Sequence, residues 1–157
     1  VDLAHRYGIE VCPLVGPSSL MMALMGSGLN GQCFAFTGYL PVKPDERKAK
    51  IKLIEKVSQQ LKQSQIIIET PYRNGQLFAD MLSTCAPKTR ICVAADITLP
   101  TQTIITKSVA DWKKSPIEIG KRPCVFVLLH RRGYHGQRSP VFDASGWHCG
   151  KCIPWKI

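Results

Sequence analysis

Gln65-Ile66-Ile67-Ile68-Glu69-Thr70-Pro71-Tyr72-Arg73 is the stretch on which the fold turns. Three consecutive isoleucines leave no alternation between a wet and a dry side, so a strand here is covered on both faces. The run stops at Glu69, and Pro71-Tyr72-Arg73-Asn74 reads as a turn. A carboxylate set directly after such a strand needs a partner or water, because burying it alone is costly. Arg90 to Ala95 and Arg122 to Leu129 are two more apolar strand runs, and Thr101 to Thr106 alternates in strand fashion. Between them lie helical patterns. Pro44 to about Lys62 places Leu53, Ile54, Val57 and Leu61 on one face, and a helix after Arg73 carries Leu77, Met81, Leu82 and Cys85. Val109 to Lys114 is a short helix. Strands alternating with helices predict the α/β class, with a largely parallel or mixed sheet flanked by helices.

Toward the N-terminus, Asp2 to Tyr7 reads as the end of a helix stopped by Gly8, and Ile9 to Val15 as a short strand broken by Gly16-Pro17. Ser18 or Ser19 then caps a helix running through Met25. That helix is apolar nearly all round, which predicts burial. Phe34 to Thr37 reads as a strand, followed by the loop Gly38-Tyr39-Leu40-Pro41.

The chain has 157 residues, 45% hydrophobic and 20% charged, ordinary for a globular domain with a real core. No apolar run approaches the ~20 residues of a membrane span, and no signal-peptide pattern is visible. Val1 in place of an initiating Met suggests a start inside a longer protein. Lys and Arg exceed Asp and Glu by ten, which favours polyanionic partners without dictating fold. The lysines at 48, 50, 52, 56 and 62 read first as a solvated helix face, with RNA contact as an added role. Seven cysteines at irregular spacing, three of them within apolar runs, point to a reducing cytoplasm rather than a disulfide framework.

Four junctions stand where strands give way to loops: Val15-Gly16-Pro17-Ser18-Ser19, Glu69 to Arg73, Ala95-Asp96-Ile97-Thr98 and Lys121-Arg122-Pro123-Cys124. Each is expected at the C-terminal end of a strand, where open α/β sheets bind ligands. Together with Tyr39-Leu40-Pro41, their order and spacing resemble the second half of the tetrapyrrole-methylase superfamily. The nearest branch is the one that methylates a ribose 2′-hydroxyl of small-subunit ribosomal RNA. The likeness covers roughly residues 1–130. It implies the C-terminal domain of a two-domain S-adenosylmethionine-dependent methyltransferase, with residues 1–15 as the last helix and strand of the first domain and 16–130 as the second domain.

The resemblance carries over residue by residue. Gly16, Ser18, Ser19, Glu69, Ile97 and Pro123 match positions that contact S-adenosylmethionine, and Arg73 and Thr98 match positions on the RNA side. Each has a plainer reading as well. Ser18 and Ser19 suit a carboxylate at a helix N-terminus, or are only a cap. Glu69 lines the pocket, or is a strand-end acid paired with Arg73. Arg73 holds RNA phosphate, or bridges to Glu69 or Asp96. Asp96 stands where the branch prefers Glu, Leu99 replaces a Lys, Gln102 a second Glu and Tyr72 a His, which bears on the substrate more than on the cofactor. No catalytic residue is assigned. The implied partners are ribosomal RNA and a second copy of the chain, in the cytoplasm and away from membranes. Two other readings stand beside this one: a methylase of a tetrapyrrole or other small molecule, and a non-catalytic basic RNA-binding or dimerising module.

Residues 131–157 differ in character, rich in Gly, Arg, Pro and His without period, and read as a flexible basic tail outside the resemblance. Cys149-Gly150-Lys151-Cys152 could join His130 and His135 around zinc, but a lone Cys pair lacks a second pair at the usual spacing, and no metal is assigned.

Overall fold

The computed structural model describes residues 1–130. The expectations for the tail, including Cys149, Cys152 and His135, lie outside the described residues. The elements run α1 (Asp2–Arg6), α2 (Ser19–Ser27), β1 (Phe34–Gly38), α3 (Pro44–Leu61), β2 (Ser64–Ile68), α4 (Asn74–Thr84), β3 (Arg90–Ala95), β4 (Thr103–Ser108), α5 (Val109–Lys114) and β5 (Cys124–Leu129). Five strands form one sheet in the order β1-β2-β5-β3-β4.

The sheet is mixed. Only β1 and β2 run parallel, and the pairs β2–β5, β5–β3 and β3–β4 are antiparallel. An apolar run such as Ile66-Ile67-Ile68 reports cover on both faces and says nothing about strand direction, which is why the sequence left the mixed form open. Successive side chains point to opposite faces. Ile67, Ile91, Val93, Phe126 and Leu128 join one core cluster with residues of α3, α4 and α5. Ile66, Cys92, Ala94, Val125 and Val127 join a second cluster under α2.

Three expectations need correction. Ile9 to Val15 forms no strand: the stretch from Ile9 to Val15 is exposed and pairs with nothing in the sheet. A strand exists only where a neighbour takes its backbone groups, and the described residues offer none. Helix α2 is not buried all round. Ala23 and Leu24 are buried on the sheet, whereas Met25 is 72% exposed and Met21 also faces out. The buried stripe of α3 is Arg47, Ile51, Ile54 and Ser58, while Leu53 and Leu61 are exposed. Those four positions follow the helical repeat, but two of them are polar. Arg47 is held by Asp80, to which its Nε donates at 2.7 Å, and by the Val42 carbonyl, to which Nη1 donates at 2.8 Å. The Ser58 hydroxyl accepts the His130 amide at 2.9 Å.

Candidate functional site

One end of the sheet gathers three of the four junctions. Because β5 runs antiparallel to both neighbours, Ile68 lies opposite Val125 and Ala95 opposite Cys124. Lys121 to Cys124 therefore leads into the start of a strand, not out of its end as expected. The reversed direction brings Pro123 to the end of the sheet where β2 gives way to Glu69 and β3 to Asp96. The Asp96 amide donates to the Pro123 carbonyl at 3.0 Å and ties the two together.

Between these segments and the first residue of α2 lies an open hollow of about 400 Å³. Ser19, Ile68, Glu69, Pro71, Ala94, Asp96, Ile97, Leu99, Pro123, Cys124 and Val125 line it. The floor is apolar and belongs to the α2-side cluster, while the two carboxylates stand at its edge.

Glu69 holds the most constrained charge. Its side chain is 1% exposed. Oε1 accepts from the Thr70 amide at 2.7 Å and from Arg73 Nη2 at 2.7 Å and Nε at 3.1 Å. Oε2 is buried and has no donor. A buried acceptor that no protein group reaches costs about 1–3 kcal/mol unless a donor is supplied from elsewhere. Arg73 takes the ion-pair alternative that the sequence left open.

The loop after β3 is bent by left-handed backbone at two residues that are not glycine, Asp96 (φ +52) and Thr98 (φ +73). Such a conformation at a β-branched residue costs of order 1–3 kcal/mol and persists only where surroundings enforce it. The Leu99 amide donates to the Asp96 carbonyl at 2.9 Å, and the Thr98 amide donates to the Gln102 side chain at 2.7 Å. Asp96 Oδ2 accepts from the Thr101 hydroxyl at 3.0 Å and lies 3.6 Å from Arg122 Nη1. These bonds fix the loop so that Ile97 packs toward the α2-side cluster.

The expected site residues thus divide. Ser19, Glu69, Ile97 and Pro123 line the hollow; Gly16, Ser18 and Thr98 are exposed and do not. Arg73 stands behind Glu69. Ser18 is the N-cap of α2, yet its hydroxyl makes no capping bond, so the first-turn N–H groups keep their capacity for another acceptor. Asn74, at the start of α4, and Arg122 and Cys124, in the fourth junction, take parts that the sequence did not announce. Asn74, fully buried, donates from Nδ2 to the Arg122 carbonyl at 2.7 Å and fastens the turn after β2 to the lead-in of β5. Nothing in a single Asn at a helix start announces a bond 48 residues away. Burial pushes the Cys124 thiol up to about 12, with Cys92 adding to it, so it stays protonated and is no nucleophile near neutral pH. Among the described residues, no group of three or more His, Cys, Asp or Glu side chains is placed to hold a metal ion, and no helix is long and apolar enough to cross a membrane. His130, weighed above as a zinc ligand, instead lies with Nδ1 2.7 Å from the Thr89 hydroxyl.

No family model matches the chain. Curated relatives do. Ribosomal RNA small subunit methyltransferase I of Vibrio cholerae is 36% identical over 104 residues, 66% of this chain and 35% of that protein. The protein of the same name from Pseudomonas aeruginosa is 28% identical over 142 residues, 88% of this chain and 49% of that protein. The chain thus spans between about a third and a half of the length of the curated relatives it matches. Among solved structures, that of the methyltransferase CobJ is similar with a TM-score of 0.51 at 19% identity, covering 83% of this chain and 58% of that one. That likeness is one of fold.

Proposed function

The chain belongs to the tetrapyrrole-methylase superfamily, and on that footing we propose that it is the C-terminal portion of an S-adenosylmethionine-dependent methyltransferase acting on a ribose 2′-hydroxyl of small-subunit ribosomal RNA. Residues 16–130 make up the second domain in this reading, and residues 1–15 the last segment of the first. The protein works in the cytoplasm as a homodimer. The observation that carries the reading is Glu69, whose buried Oε2 lacks a donor beside an apolar hollow. A nucleoside fits such a place, with its flat base on the apolar floor beside the carboxylate.

The rest of the hollow suits the same cofactor. The free first-turn N–H groups of α2, with Ser18 and Ser19, suit its carboxylate. Ile97 and Pro123, which line the hollow, flank its base. When bound, the cofactor supplies a methyl group on a sulfonium, already an activated leaving group. The task left to the protein is chiefly positioning, worth up to about 7–11 kcal/mol in well-oriented cases. Arg73 spends Nε and Nη2 on Glu69 and Thr70, leaving Nη1 for an RNA phosphate, and the exposed Thr98 is assigned to the RNA as well. The net charge of +10 favours RNA over a small tetrapyrrole as the substrate.

The test uses the protein carrying both domains. Calorimetry with S-adenosylhomocysteine on wild type and Glu69→Gln is expected to show about tenfold weaker binding in the variant, ~1.4 kcal/mol, with folding retained. Labelled methyl transfer to small-subunit ribosomal RNA checks the substrate. Unchanged affinity in Glu69→Gln removes Glu69 from the cofactor site. Label on a small molecule and none on RNA replaces the substrate, and no transfer to either favours a non-catalytic module.

A further inference from the structure

The opposite end of the sheet carries a second concavity, larger and of different chemistry. The turn after α2, the C-terminal half of α3 and the ends of β3 and β5 enclose a groove of about 900 Å³. Lys56, Lys62 and Arg90 converge on it, with Asn30, Gln59 and Gln60 between them, and no Asp or Glu lines it. Among the described residues these three cations pair with no carboxylate, whereas Arg47, Arg73 and Arg122 each face one.

Lys62 adds a separate argument. It is the C-cap of α3 at φ +54, a left-handed position where glycine or asparagine is ordinarily found. The Asn30 side chain donates to its carbonyl at 2.7 Å and holds it in place. A cation at a helix C-terminus is favourable in itself. Its convergence with Lys56 and Arg90 on an acid-free groove rimmed by amide side chains is not accounted for by that.

We propose that this groove takes the phosphodiester backbone of RNA flanking the nucleotide to be modified. Lysine and arginine neutralise phosphates, and amide side chains hydrogen-bond to phosphate, sugar or base edges. The six residues of β3, at about 3.3 Å each, put the groove roughly 20 Å from the hollow. One extended strand of RNA reaches both, so the groove would hold its register while the target ribose sits at the hollow. The inference rests on RNA being the substrate and names a second place where the chain meets it.

The test compares two variants of equal charge in the full chain. Lys56→Gln, Lys62→Gln and Arg90→Gln empty the groove; Lys50→Gln, Lys113→Gln and Lys114→Gln remove the same charge from exposed positions elsewhere. The probe is a mixed-sequence single-stranded oligoribonucleotide, titrated by fluorescence anisotropy across a salt series. The groove variant should bind at least tenfold more weakly, and its plot of log affinity against log salt should be shallower by about 2, at roughly 0.7 for each phosphate no longer neutralised. The control variant should lose much less. Equal losses in the two variants overturn the groove and leave a general charge effect. Wild type that binds RNA with the groove variant unimpaired overturns the groove alone, and wild type that binds no RNA overturns the RNA substrate with it. Should Arg90→Gln unfold the protein, the double variant Lys56→Gln with Lys62→Gln decides the same question at two-thirds of the slope change.

Discussion

The two faces of the sheet are built from different materials. Under α3, α4 and α5 lie the large side chains. Phe78 meets Trp112 edge to face at 5.3 Å and stacks with Phe126 at 6.2 Å, and the Trp112 indole donates to the Ile91 carbonyl at 2.8 Å. Under α2 no ring is found: the buried residues are Ala23, Leu24, Ile66, Cys92, Ala94, Val125 and Val127. Gly26 lets α2 settle onto β4, since a Cβ there would come within 3.1 Å of Ile104 Cδ1. The difference teaches where room for a ligand comes from. Aromatic rings fill one face, whereas the aliphatic side chains on the other, two of them alanines, leave the hollow beside Glu69. Stability resides mainly on the first face, and ligand capacity on the second.

That division can be broken most directly at Trp112. Trp112→Ala should cost about 3–5 kcal/mol in chemical denaturation, because it empties a fully buried site and removes an indole hydrogen bond. Below its melting point, the variant, placed in the full-length protein proposed above, should keep wild-type affinity for S-adenosylhomocysteine. A tenfold loss of affinity would mean that the faces are coupled.

A smaller effect is expected on the other face. Ser18→Ala with Ser19→Ala in the two-domain protein should weaken cofactor binding by about tenfold, ~1.4 kcal/mol. Since the Ser18 hydroxyl makes no capping bond, the melting temperature should hardly move. A fall of about 1 kcal/mol in stability with unchanged affinity would instead make the turn a helix cap.

The smallest effect concerns pH. Burial holds the Cys85 and Cys124 thiols at about 12 in the folded chain, from an ordinary 9.0. The unfolded chain releases these protons first, so their contribution is fully present below about pH 9 and is lost as pH rises toward 12. At pH 9.5 each thiol should cost somewhat under about 1 kcal/mol relative to pH 8. Denaturation midpoints should fall over that range and flatten in Cys85→Ala with Cys124→Ala. An unaltered slope in that variant assigns the alkaline loss to other groups.

The strands and most helices were legible because their signals are local. Ile66-Ile67-Ile68, Arg90 to Ala95 and Val109 to Lys114 announce themselves by periodicity and composition. Strand direction was not, since it depends on where β5 inserts, and no residue within Cys124 to Leu129 encodes that. The α3 stripe was misplaced because Arg47 and Ser58 are buried through distant partners, Asp80 and His130. At the site, Glu69, Ile97 and Pro123 were reachable through motif order. Asn74 and Arg122 act across long separations and leave no local mark.

The strand order has a consequence in time. Neither β2 nor β3 pairs with the other; both wait for β5, the last strand among the described residues. During synthesis the β1–β2 unit and the β3–β4 hairpin can form early, but they stay separate until Cys124 to Leu129 has left the ribosome. At about 5–20 residues per second, the gap between completing β4 at Ser108 and β5 at Leu129 is on the order of one to four seconds. Through that interval β2 and β3 each present a bare apolar edge, the exposure that invites mispairing between nascent chains. Closure by β5 removes both edges in one step and brings Pro123 between Glu69 and Asp96, so the hollow and the finished sheet come into being together.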